Sequence, residues 1–199
     1  MKIYRRRDLT IALAAVVLAL ATTSRAGEPM DVVRPTVERA IAVLKDPKLK
    51  APDKKKERIE QLKALITPIF DHEEMARRSL GSHWRRLPPS EREEFAKLFR
   101  AFLERIYSDR TDLYDGQRVL FGRESVEQDY AQVDSIVIDA KGEQISVAWR
   151  LKRTNGMWKV YDAVIENVSI VNNYRSQFDR VISKSSYEEL KKLLKEKAG

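Results

Sequence analysis

The sequence predicts an α+β fold, with helices packed over one face of a four-stranded antiparallel sheet. Three observations predict it. Apolar residues recur at helical 3–4 spacing from residue 30 to 107, and again after residue 172. Between these regions, residues 116–170 divide into four strand-like stretches separated by turn chemistry. The connections there are too short for crossover helices, so neighbouring strands must run antiparallel.

The helical regions are taken first. "MDVVRPTVERAIAVLK" places Val33, Val37, Ala40, Ile41 and Leu44 on one face. "DKKKERIEQLKALITPIF" does the same with Ile59, Leu62, Leu65, Ile66 and Ile69. A polar linker with two prolines, "DPKLKAPDKKK", joins them. "FDHEEMARRSLGSHW" then aligns Met75, Ala76, Leu80 and Trp84, with Gly81 a weak breaker. Pro88 and Pro89 end that helix, and Ser90 with Glu93 reads as a capping box. Phe95, Leu98, Phe99, Phe102, Leu103, Ile106 and Tyr107 form a bulky face that needs a broad partner such as the sheet that follows.

The strands follow Asp115-Gly116. Lys141-Gly142 separates the second from the third, and Asn155-Gly156 marks a tight hairpin between the third and fourth. In the third strand Ile145, Val147, Trp149 and Leu151 alternate with polar or small residues. A last helix is signalled by Ser186 with Glu189, before the stripe Leu190, Leu193 and Leu194.

With 43% apolar residues among 199, a real core can form in one ordinary domain or two very small ones. Residues 1–26 read as a signal peptide: a basic start, the apolar run "LTIALAAVVLALATT", and Ser24 and Ala26 at signal-peptidase positions. A single domain, 27–199, is expected to remain after cleavage. The leader carries five Lys/Arg and one Asp, so about half of the +8 net charge leaves with it. The remaining bias is too mild to argue for nucleic acid, and suits transient contact with anionic membrane surfaces or acidic partners. "RRRDL" weakly resembles a twin-arginine signal, so the export route stays open.

The chain has no cysteine, which excludes disulfides, thiolate ligands, a cysteine nucleophile and a lipobox. Its two histidines, His72 and His83, are eleven residues apart, about 16 Å along a helix, too far to share a metal. No metal site and no cofactor is expected. No G-x-S-x-G, H-E-x-x-H, P-loop or G-x-G-x-x-G occurs. Asp162 and Glu166 would lie about 13 Å apart on a strand, too far for most glycosidase pairs. No catalytic residue is assigned, and the chain is read as not an enzyme.

The alternative is capture of an apolar ligand. Phe99, Phe102, Leu103, Tyr107, Val147, Trp149, Leu151, Val164, Ile170, Tyr174 and Phe178 would line a space between sheet and helices. They would equally fill it as a plain core, and periodicity does not separate the two.

Two longer motifs add to this. "FDHEEMARRSLGSHWRRLPPSEREEFAKLFRAFLERIY" resembles the first signature of the MlaC, or toluene-tolerance, family: F-D-x-x-x-M-A-R-x-x-L-G-x-x-W before an aromatic-rich helix. "WKVYDAVIENVSIVNNYRSQF" is similar to its second, with Asn167 where the family usually has glycine. The resemblance implies a periplasmic phospholipid carrier with a deep apolar pocket, holding diacyl phospholipid at the residues above. It implies exchange with an outer-membrane lipoprotein complex and an inner-membrane ABC transporter complex, which maintains outer-membrane lipid asymmetry. Arg150, Lys152 and Arg175 are the candidates for headgroup contact. A hopanoid cargo and a non-lipid interaction adaptor remain as alternatives.

Overall fold

A computed structural model describes residues 28–108 and 111–198. The segment read from sequence as a signal peptide, 1–26, lies outside the described residues. Helices α1 (Pro29–Lys45), α2 (Lys55–Ile66), α3 (His72–Leu80) and α4 (Pro89–Ser108) precede the sheet. Its strands are β1 (Arg118–Glu127), β2 (Tyr130–Ile138), β3 (Gln144–Thr154), β4 (Met157–Ile165) and β5 (Val168–Ser169). Helices α5 (Ile170–Lys184) and α6 (Tyr187–Ala198) follow. The strands form an antiparallel meander in sequence order.

The sheet has five strands where the sequence predicts four. The fifth is a two-residue return after Glu166-Asn167, both at positive φ (47° and 64°). Asparagine tolerates that conformation better than most residues, so Asn167 keeps the tight turn that a glycine would make. The Asn155-Gly156 hairpin has the expected geometry, with φ of 51° and 77°. The first strand is longer than its pattern suggests. It runs through a bulge between Phe121 and Glu124 to a turn at Gln128-Asp129.

Helices reach both sheet faces, rather than one. Val33 of α1 packs with Ala131, Val133, Leu151, Trp158 and Val160 in one apolar cluster. The opposite face carries Tyr130, Arg150, Lys152 and Asp162, and meets α3 and α5. At the β3–β4 bulge Tyr161 is the unpaired extra residue, and it meets Tyr130 edge-on on this second face. A second cluster lies among the helices. Phe95, Phe99 and Phe102 of α4 interlock with Tyr174 and Phe178 of α5 at ring separations of 5.3–6.3 Å. Leu190 and Leu194 of α6 close it. The broad partner of the aromatic face is therefore α5 and α6, not the sheet that the sequence suggested.

Local signals differ in two places. Ser90 does not cap α4: the helix starts one residue earlier, at Pro89, and Glu93 pairs instead with Lys97 at 2.6 Å. The Ser186 cap does form, accepting from the Glu189 N–H at 3.1 Å. Gly81 is a full breaker. With φ +56° and ψ −121° it ends α3 and starts a 3-10 turn, Gly81–Arg86, that still buries Trp84.

One buried carboxylate joins sheet to helices. Asp162, 2% exposed, accepts from Ser169 Oγ at 2.7 Å, the Val171 N–H at 3.1 Å and Arg150 at 3.4 Å. Asp162→Ala would leave a buried N–H and a guanidinium without their acceptor. It is expected to cost about 2–3 kcal/mol in urea unfolding.

Candidate functional site

Helix α3 divides two cavities. Asp71 caps it, accepting from the Glu74 N–H at 2.9 Å, and its own N–H bonds to the Val160 carbonyl at 2.8 Å. Thr154 Oγ1 donates to the second Asp71 oxygen at 2.9 Å. The start of α3 is thus tied to β4 and to the end of β3. At about 100° per residue, His72 lies well round the helix from both Arg77 and Arg78, and Met75 lies nearly opposite Arg77 but only about 60° from Arg78.

On the first side is an apolar slot of about 140 Å³ between α2, α3 and α4. Ile59, Leu62 and Ile66 of α2 face Phe70, Met75, Leu103 and Tyr107. His72 lies in its wall, stacked on Phe70 at 6.1 Å. Burial pushes its imidazole below the usual histidine range, helped by the Arg100 guanidinium, so at neutral pH the wall carries no imidazolium. Lys63, Arg100 and Glu104 stand at the rim, with Arg100 bonded to Glu104 at 2.7 Å.

On the other side lies a cleft of about 430 Å³ lined by five arginines, with Tyr161, Asp162 and the first turn of α5. Glu74 is its buried anchor. It accepts from Arg77 at 2.8 and 2.6 Å and from Arg78 at 2.8 Å, and lies 3.5 Å from Lys152. Burial pushes this carboxyl up, but the hydrogen bonds from Arg77 and Arg78 win and hold it at about 2. Arg78 in turn lies 4.0 Å over the Tyr161 ring.

The residues proposed from sequence do not meet in one space. Phe99, Phe102, Leu103 and Phe178 are buried in the helical core, with Tyr174 at its edge. Leu103 and Tyr107 alone among them reach the slot. Leu151 and Trp149 belong to the sheet core, where Trp149 Nε1 donates to Ser135 Oγ at 3.0 Å. Val147 and Val164 border a hollow at the far end of the sheet, and Ile170 opens α5 half-buried. Arg150 and Arg175 face the cleft, and Lys152 is engaged by Glu74. Ile59, Leu62 and Ile66 of the slot read in sequence as an ordinary helix face. Ile66 gives the one hint, an apolar residue that stays 38% exposed in the fold. His83 pairs with Asp179 at 2.8 Å, away from His72, and no cluster of metal ligands occurs among the described residues. Asp162 is a junction residue, while Glu166 accepts from Ser146 Oγ at 2.8 Å on the turn, so the two do not form a carboxylate pair.

The motifs that carry the sequence resemblance converge here: Arg77, Gly81 and Trp84 from the first, Tyr161, Asp162 and Arg175 from the second. A family model described as MlaC protein matches residues 34–196. The chain belongs to the MlaC family. A curated MlaC, the intermembrane phospholipid transport system binding protein of Haemophilus influenzae, is 24% identical over 130 residues. That match covers 63% of this chain and 61% of the relative, so the chain spans about three fifths of the relative's length. A solved phospholipid-binding protein from Ralstonia solanacearum, in complex with a phospholipid, shares 25% identity at a TM-score of 0.73. It covers 86% of this chain and 97% of that structure.

The depressed Glu74 carboxyl has a consequence for pH. A carboxyl held below its unfolded value stabilises the fold above about pH 4.5, and loses that stability as pH falls towards about 2. Acid unfolding is expected to steepen in that window. Glu74→Gln should remove the steepening and lower stability at neutral pH, as chemical denaturation across pH would show.

Proposed function

We propose that this chain carries phospholipid through the periplasm, as a non-enzymatic binding component that exchanges lipid with complexes in the two membranes. The observation that carries this reading is the near-complete overlap with a relative solved around a phospholipid. The slot supplies a physical route.

Transfer is a matching problem. A tail leaving a bilayer gives up roughly 0.8 kcal/mol per methylene, which a dry apolar channel returns. The slot has that character, but at about 140 Å³ it falls below the roughly 300–1,000 Å³ of ordinary ligand pockets. Its walls must part to admit acyl chains, and the α2–α4 seam is where they can. Helix α2 packs along α1, whereas its links across the slot are polar. Lys55 and Arg58 hold Asp112, Thr67 Oγ1 lies 3.3 Å from Glu104, and Lys63 lies 3.9 Å from it. The exposed pairs of this set contribute about 0–1 kcal/mol each, and the buried Arg58 side chain holds Asp112 more firmly. Opening the seam therefore breaks mainly weak polar links and parts the apolar walls, whose contacts the incoming acyl chains replace.

In this reading Leu103 and Tyr107 touch the tails first. Phe99, Phe102, Tyr174 and Phe178 form the wall behind them, and are reached as the seam widens. Leu151 and Trp149 stiffen the sheet core, while Val147, Val164 and Ile170 lie away from the slot. The headgroup stays at the rim beside Lys63 and Arg100, in water.

The cysteine-free chain allows a direct test. Thr67→Cys with Glu104→Cys, joined by a short bis-thiol reagent, should stop uptake of labelled phospholipid from vesicles, and reduction of a cleavable linker should restore it. Undiminished uptake with the link intact would rule out entry at this seam. His72→Ala and His83→Ala are expected to keep lipid binding, since neither ring is asked to hold charge or metal. Lipid loss from either folded variant would contradict this.

A further inference from the structure

The cleft on the far side of α3 holds more cationic charge than its own carboxylates use. Arg77 and Arg78 are engaged by Glu74, and Arg150 reaches Asp162 only at 3.4 Å. The guanidinium groups of Arg85 and Arg175 have no hydrogen bond or ion pair among the described residues, although both line the cleft. Arg175 is seated by Gly81: a Cβ at position 81 would come within 2.7 Å of its Nε. The glycine thus serves two ends, turning the chain at positive φ and leaving the helix end low enough for a guanidinium to lie across it.

We propose that this cleft docks a carboxylate-rich segment of a protein partner. Guanidinium forks pair with carboxylates in bidentate fashion, which a lysine cannot match. Arg78 is half-buried, while Arg77, Arg85 and Arg175 reach solvent around a cleft between the sheet, the 3-10 turn and α5, so a protruding acidic loop or helix end can meet guanidinium groups on several walls at once. Tyr161 gives the cleft an aromatic wall, and Arg with Tyr and Trp are the side chains that dominate protein–protein binding energy. The occupant is not the headgroup of a lipid held in the slot: no residue lines both spaces, and α3 stands between them. The site therefore leaves the lipid and the partner to bind together.

The test is fluorescence anisotropy of a labelled peptide of alternating Asp and Glu, titrated with the full protein. Arg85→Gln with Arg175→Gln should weaken binding about tenfold. A pair removing the same charge elsewhere, Arg39→Gln with Arg118→Gln on α1 and β1, should change it by less than about twofold. Arg85→Lys with Arg175→Lys keeps the charge but loses the fork, and should fall between the two; a folding defect would not produce that order. Lipid content of the double variants should equal that of the unaltered protein, which separates failure here from failure of the carrier reading. Equal losses in the two charge-matched pairs would overturn the proposal, as would no peptide binding by the unaltered protein. Preferential binding of phosphatidylglycerol vesicles through Arg85 and Arg175 would also overturn it, making the cleft a membrane contact.

Discussion

Glu74 is the constraint on which the layout turns. Its carboxylate is buried between α3 and the sheet, and is tolerable there only because Arg77, Arg78 and Lys152 converge on it. That convergence fixes which way α3 faces. With its charged side committed to the sheet, the helix must turn Met75 and His72 towards α2 and α4. The apolar slot and the arginine cleft are thus two consequences of one ion cluster, back to back across a single helix.

The two cores divide the remaining work. The aromatic rings of α4 and α5 pack the helical layer by edge and offset contacts. The sheet core packs against α1. Beside it runs the seam where α2 lies along α1 and pairs across to Glu104 of α4 and to Asp112. A carrier needs a rigid frame and one compliant joint, and this distribution of apolar and polar contacts supplies both.

Much of the fold was legible because its signals are local. The Asn155-Gly156 turn, the alternation in β3, the Ser186 cap and the 3–4 spacing of α4 each depend on a few neighbouring residues. The signals that failed are those whose outcome depends on distant partners. Gln128-Asp129 has no glycine or asparagine to announce a hairpin, yet Gln128 turns at φ 54° because both flanking strands are held in register by the sheet. Ser90 lost its capping role because Pro89 already provides a helical first residue. The slot was illegible for a plainer reason. Its walls come from three helices whose apolar faces look like any other, and only packing shows that α4 turns its largest rings to α5 and its Leu103–Tyr107 side to α2. Arg150 and Arg175 were found as candidates by their charge alone; their company in the cleft required the fold.

The central claim is that an apolar cargo occupies this chain in its native setting. The most direct measurement is mass spectrometry of an organic-solvent extract of the protein purified from the envelope. Diacyl phospholipid in near-stoichiometric amount is the predicted result, with chain lengths that bound how far the seam opens. A hopanoid would keep the carrier and change its cargo. An empty extract, repeated after incubation with phospholipid vesicles, would contradict the account and leave a protein that binds only other proteins.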